Sequence, residues 1–458
     1  MSKSHLVVLG AGPGGYSAAF HAADQGYKVT LVDASLNLGG VCLHSGCIPS
    51  KALLHIVGLL AETKQVKDRG IDFDDPRIDL KRLNKWKDEI ISNFSGGLDL
   101  LCKQRGINYV TGRGVFVDSN TIKTSEGHSI RFDHCIIATG SRPVVPSQFS
   151  VSKAVIMDST EALKLTSIPK KLLIVGGGYI GLEMGTVYSG LGSSVTLVEI
   201  KDGLLPDVDR DLVRPLQNKL SSEFESIYLD TAVVSIRELG GLGYVTMASS
   251  KESKEEKFDR VLMSVGRRPN TDKIRLENTK VQLDSNGFVK VDFKGQTSDP
   301  AILAIGDISG EPMLAHKASY EARIAIDGLK GKKMTSSNTV IPAVVFTDPE
   351  IAWCGLTESE AKMKNLDFQV AKFPWRASGR AHTLGRTEGF TKLILQPDSK
   401  RVLGVGIVGY GAGELIAEGV LAINMGAKAD DLSRCIHPHP TLSETIMESA
   451  DVFLGTAT

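Results

Sequence analysis

Two cysteines with four residues between them, Cys42 and Cys47 in GGVCLHSGCIPSKALL, are the residues of this sequence best placed to do chemistry. Paired thiols can ligate a metal, staple a fold, or cycle between dithiol and disulfide. A zinc site needs two further ligands. The other cysteines, at 102, 135, 354 and 435, stand apart in helix or strand patterns that suit small buried apolar side chains. Six cysteines in 458 residues is sparse usage, which belongs to a reducing compartment where a plain stapling bond is unexpected. Cys47 precedes IPSKALL, with Pro49 in the first turn of an expected helix. A helix N-terminus stabilises a thiolate. Reversible disulfide chemistry is therefore the favoured reading, and no metal site is expected.

Dithiol chemistry needs a group that manages protons. The segment IHPHPTLSE supplies His437, His439 and Glu444. A carboxylate that accepts a ring N–H fixes the imidazole tautomer and raises its basicity. Taken singly, either histidine is as well explained by a turn, and spacing does not bring this segment to the cysteines.

Elements able to position a redox pair lie on either side of it. GAGPGG sets Gly10, Gly12 and Gly15 in G-x-G-x-x-G spacing between an apolar run and a helical pattern, and KVTLVD then ends in Asp33, 18 residues past Gly15. The first glycine permits the tight turn, the second lets backbone approach a pyrophosphate, and the third lets helix and strand pack closely. The acid accepts a ribose hydroxyl. The pattern restarts at Lys171, where GGGYIG sets Gly176, Gly178 and Gly181, with Glu199 again 18 residues on. A carboxylate there suits the free 2′-hydroxyl of NAD and repels the 2′-phosphate of NADP, although Lys201 nearby weakens the preference. A third match, Gly404, Gly406 and Gly409, lies within an apolar strand pattern and is expected to serve packing; residues 426–431 after it read as a turn.

These patterns predict an α/β protein with two Rossmann-like dinucleotide-binding domains and a C-terminal α+β domain, with boundaries near 145, 275 and 340. Lys plus Arg equals Asp plus Glu, 53 each, so there is no basic excess to bind nucleic acid or an anionic membrane. No membrane span is expected, because charges or clustered glycines interrupt each long apolar stretch. A cytoplasmic location follows.

In order along the chain, GAGPGG, GGVCLHSGCIPSKALLH, ATGSRP, GGGYIGLEMG, VGRRPN, AIGD, MLAHKA, TDPEIAWCGLTE and HPHPTLSE resemble the pyridine nucleotide–disulfide oxidoreductases over essentially the whole length. Within that family the chain is most similar to the branch that oxidises dihydrolipoyl groups with NAD in 2-oxo-acid dehydrogenase complexes and the glycine cleavage system. FPWRASGRA and GAGELIAEG add to that likeness. The resemblance implies an FAD-binding domain (1–145), an NAD-binding domain (146–275), a central domain completing the FAD site (276–340) and a dimerisation domain (341–458). It implies Cys42 as the thiol that exchanges with lipoyl sulfur, and Cys47 as the thiol that lies against the flavin. Lys51, Gly114, Thr139, Gly140, Ser141, Asp307, Met313, Leu314, Ala315 and His316 would join the first glycine turn and Asp33 around FAD. Glu199, Val233 and Gly266 would contact NAD with the second turn. His439, oriented by Glu444, would be the acid–base catalyst, reaching the cysteines of the other subunit of a homodimer, with His437 secondary. Expected partners are lipoyl-bearing acyltransferase subunits or a lipoyl carrier protein. The rivals are an NADPH-dependent disulfide reductase, which Glu199 opposes, and a non-catalytic docking flavoprotein, which has no need of the intact pair. His44 stands where the family commonly has Asn, and Asp33 where Glu is usual.

Overall fold

HLVVL offers no polar face to water, and it folds as the central strand His5–Leu9 of a five-stranded parallel sheet, with Leu6, Val7 and Val8 fully buried. The computed structural model describes residues 3–149, 152–332 and 339–457. The sheet order is Ile302–Ala304, His134–Ile137, His5–Leu9, Lys28–Asp33, Asn108–Thr111. One face is covered by the helices Pro13–Asp24 and Ala315–Leu329, and the other by the small antiparallel sheet of residues 114–131. The chain thus leaves this sheet after Ile137 and returns to it at Ile302.

The excursion builds a second parallel sheet, ordered Ser226–Tyr228, Ser194–Val198, Lys171–Val175, Arg260–Met263, Ile156–Met157. It repeats the opening arrangement of strand, glycine turn, helix (Tyr179–Gly190) and strand. Where the chain crosses between the two sheets, Ser141–Pro143 and Arg267–Pro269 pair antiparallel. From Ala343 an antiparallel sheet follows, ordered Ala343–Val345, Glu350–Gly355, Val402–Gly409, Phe390–Leu395, Gln369–Pro374, with the helices Ala412–Met425 and Glu444–Leu454 packed on it. The third glycine triplet lies in this sheet as packing. A Cβ on Gly404 would sit 2.0 Å from Leu356 O, and one on Gly409 would sit 2.2 Å from the Trp375 ring.

Two sequence expectations need correction. Residues 426–431 are a turn only as far as Lys428, because Lys428 N–H donates to Asp431 Oδ2 (2.8 Å) and closes the first turn of a helix at Ala429–Arg434. Cys102, Cys135 and Cys354 are buried as expected, but Cys435 is exposed, since it follows that helix and lies outside the core. The stretch Gly40–Arg69 is long and apolar enough by composition to cross a membrane. It is nevertheless broken at Gly46, and its Val57 seats against Gly190, where an added Cβ would come within 2.7 Å.

The close strand–helix contact of the first turn depends on Gly15, whose added Cβ would lie 1.8 Å from Gly10 O. Gly15→Ala is expected to lower stability by about 3 kcal/mol or more, as an overpacked site that cannot relax. By contrast, Gly96 lies exposed within the helix Leu80–Gln104 with nothing in reach of a Cβ, so Gly96→Ala should add about 0.5–1 kcal/mol. Urea unfolding midpoints of the two variants check both signs.

Candidate functional site

Gly39 and Gly40 take φ of +122° and +59°, conformations that L side chains rarely adopt. They turn the chain into the short helix Gly40–Ser45, which carries Cys42. Gly46 then breaks the helix, and Cys47 opens the next one, Cys47–Gln65. The break brings two thiols that are five residues apart to the wall of one cavity, close enough for each to perturb the proton affinity of the other. Their proton affinities separate. The hydrogen bond from Cys42 lowers the Cys47 thiol to about 7, against the opposing effect of burial and with help from Lys51. The same bond, followed by burial, raises Cys42. Cys47 is exposed, but only into a cavity that both sulfurs line. His44 is turned away from this pair, with Nε2 2.8 Å from Leu38 O.

One turn beyond Cys47, Lys51 Nζ lies 2.8 and 3.0 Å from the two Glu183 oxygens. Glu183 projects from the helix after the second glycine turn and is 3% exposed. The sequence reading missed this acid. Its signal was there: a single charge in the apolar run YIGLEMG needs a buried partner.

The cavity holds about 630 Å³ and is lined by residues from both nucleotide-type units. Of the residues expected around FAD, Gly10, Gly12, Asp33, Lys51, Gly114, Thr139, Gly140, Ser141, Asp307, Met313 and Ala315 line it. Gly15 is buried behind the turn. Leu314 and His316 are outside the lining, and the His316 ring is bonded to Pro342 O (2.7 Å). Pro13–Asp24 begins at the cavity wall without a side-chain cap, so its first N–H groups are free for an anion. Asp33 accepts from Ala11 N–H (2.6 Å) and Ser35 N–H (2.7 Å), which fixes the carboxylate at the end of its strand. On the far side, Ser141 Oγ donates to Asp307 (2.5 Å) and accepts from Arg267 Nε (2.8 Å). Arg267 also escaped the sequence reading, because only the tertiary pairing of Arg267–Pro269 with Ser141–Pro143 brings it here. The size and the uncapped helix N-terminus fit a flavin dinucleotide.

The second turn has the same construction. A Cβ on Gly181 would meet Gly176 O at 2.2 Å, whereas Gly178 and Gly266 face open space. Glu199 accepts from Gly177 N–H (2.6 Å) and Lys201 N–H (2.8 Å). Thr231 N–H donates to Glu199 O (3.0 Å), which sets the strand bearing Val233 beside this acid. Tyr179–Gly190 starts without a side-chain cap, and its Tyr179 borders the first cavity. A second dinucleotide fits here, adjacent to the first.

His439 Nδ1 lies 2.9 Å from Glu444 Oε1. Burial opposes ionisation of Glu444, but Thr441 N–H and His439 outweigh it and hold the carboxyl below its usual range. The His439 side chain is 79% exposed and is not part of the cavity lining. His437 is instead held between Glu418 (2.8 Å) and Cys435 O (2.9 Å). Large apolar side chains of the same domain, Leu421, Met425 and Ile436, are exposed. Among the described residues, the acidic cluster Asp209, Asp211 and Glu358 has metal-like spacing, but Lys392 Nζ sits within 2.9 Å of each and fills that role.

A profile of the pyridine nucleotide-disulphide oxidoreductases matches residues 4–322, and the profile of their dimerisation domain matches residues 341–450. The dihydrolipoyl dehydrogenase of Haemophilus influenzae is 45% identical over 460 residues, covering 100% of this chain and 96% of that protein. The dihydrolipoyl dehydrogenase of Vibrio parahaemolyticus is 44% identical, covering 100% and 97%. Among solved structures, LpdA from Mycobacterium tuberculosis superposes with a TM-score of 0.91 at 26% identity, covering 98% of this chain and 99% of that one. The HOCl-induced flavoprotein disulfide reductase RclA from Escherichia coli gives 0.86 at 26%, with the same coverage. Redox-suited paired thiols, two dinucleotide-type turns and full-length similarity agree: the chain belongs to the pyridine nucleotide-disulphide oxidoreductase family.

Proposed function

We propose that this chain oxidises protein-bound dihydrolipoyl groups to the lipoyl disulfide with NAD as final acceptor, through Cys42, Cys47 and FAD. The observation that carries the reading is a pair of thiols, Cys42 and Cys47, side by side in the wall of a dinucleotide-sized cavity, with Lys51 one turn along the same helix. Gly10, Gly12, Asp33, Lys51, Gly114, Thr139–Ser141, Asp307, Met313 and Ala315 would hold FAD. Gly176, Gly178, Glu199, Val233 and Gly266 would hold NAD. Bound FAD supplies a two-electron acceptor for a thiolate and a hydride donor for NAD.

The chain's own residues do the thiol and proton work. His439 of the partner subunit removes a proton from the substrate dithiol. The resulting thiolate attacks Cys42 Sγ of the oxidised pair, the Cys42–Cys47 bond breaks, and Cys47 leaves as thiolate. Its lowered proton affinity makes it the better leaving group. The second substrate sulfur then attacks the substrate sulfur of the mixed disulfide and displaces Cys42 Sγ, which leaves as a thiol with the first proton returned from His439, while His439 takes up the proton of the second substrate thiol and later releases it to solvent. The lipoyl disulfide forms and the pair has gained two electrons. Glu444 holds the imidazole in register.

The homodimer this requires is supported by the dimerisation-domain match, and His439 is not among the residues that line its own chain's cavity. Division of the chain near 145, 275 and 340 suits the reading, with 276–340 completing the first nucleotide site. The lipoyl groups would come from acyltransferase subunits or a lipoyl carrier protein, in the cytoplasm, where sparse cysteine usage is at home.

Purified protein is expected to form NADH from NAD and free dihydrolipoamide, with NADP at least tenfold poorer because Glu199 repels a 2′-phosphate. NADPH-driven glutathione reduction in its place would overturn the substrate assignment. Cys47→Ser should lose roughly a thousandfold or more of this activity, since no disulfide can form. His439→Gln should lose about 10²–10⁴-fold. It should keep NADH-driven reduction of a quinone dye, which needs no dithiol; loss of both would place His439 in a structural role.

A further inference from the structure

Lys51 is held beside Cys47 by more than its carboxylate partner. A two-oxygen contact to Glu183 fixes the ammonium from one side, but a lysine stem is flexible and this side chain is 33% exposed. Phe346 closes the other side, with its ring centroid 4.5 Å from Lys51 Nζ. Its backbone N–H also donates to Glu183 Oε1 (3.2 Å). The residue follows the strand Ala343–Val345 of the C-terminal unit, whereas Lys51 and Glu183 come from the first and second units. One aromatic residue therefore touches both members of an ion pair that spans the other two units.

We propose that Phe346 is a positioning residue for the Cys42–Cys47 reaction, its ring and amide keeping the Lys51 ammonium beside the Cys47 sulfur. This rests on the function proposed above. Lys51 favours the Cys47 thiolate and Glu183 opposes it. An ammonium free to swing into solvent would leave the carboxylate behind, so both effects would weaken the thiolate together. A ring that only fills space, for instance against Gly413, would leave the acidity of Cys47 unchanged.

The test uses the FAD-loaded Cys42→Ser protein, where Cys47 is the one remaining thiol of the pair. Its long-wavelength thiolate-to-flavin absorbance is followed against pH. Adding Phe346→Leu should raise the midpoint by about half a pH unit or more, or roughly threefold less thiolate near neutral pH. Phe346→Tyr, which keeps the ring, should restore the parent midpoint. Phe346→Met is a second aliphatic variant of similar volume should the leucine variant not fold. An unmoved midpoint in a folded aliphatic variant overturns this inference alone, as does a tyrosine variant that shifts as far as leucine. No band in the parent protein overturns the proposed function and this inference with it.

Discussion

The close approach of Cys42 and Cys47 is the contact on which the rest of the site depends. It exists because a glycine interrupts what would otherwise be one continuous helix. In an unbroken helix, residues five apart are displaced both in rise and around the axis, and short side chains at those positions do not meet. The non-helical backbone at Gly46 (φ −145°, ψ −114°) ends one helix and starts another, so Cys47 gains a helix N-terminus while Cys42 stays on the preceding turn. Local geometry therefore creates the pair and, through the N-terminal dipole, part of its asymmetry.

The surrounding charges complete that asymmetry. Lys51 is one turn along the same helix as Cys47, so the sequence places it automatically. Its partner Glu183 is not local, and without Lys51 a carboxylate 3% exposed would be an unpaired buried charge. The pair joins the helix of the cysteines to the helix of the second glycine turn, which places the two nucleotide-type sites side by side. A further ionic contact, Lys392 with Asp209, Asp211 and Glu358, joins the second unit to the C-terminal sheet. The three units are thus tied by buried charge as well as by apolar cores.

In a single copy of the chain, His439 is not among the residues that line the cavity of the cysteines. His439 and Glu444 are in contact, but the imidazole is exposed, and the same C-terminal domain exposes Leu421, Met425 and Ile436. An exposed apolar surface of that kind on a domain matched as a dimerisation domain accounts for Cys435 as well.

Much of the site was legible in the sequence because its requirements are local. Gly15 and Gly181 are dictated by backbone five residues earlier passing within a Cβ's reach, so spacing alone reveals them. The cysteine pair, the helix start at Cys47 and the His439–Glu444 contact likewise involve residues at most five apart. Helix and strand identities followed from apolar periodicity, as in Leu80–Gln104. Other features had no local signature. Glu183 lies 132 residues from Lys51, and Arg267 lies 126 from Ser141. The return of the chain at Ile302 to the first sheet, the orientation of His316 toward Pro342 and the reach of Phe346 across two units are also set by packing between distant segments. Short-range sterics and hydrogen bonding are written in adjacent residues, so the sequence determined the reactive groups and the turns that carry them. Which charge faces which, and which side chains share one cavity, depend on how the units dock, and only the tertiary structure decided that.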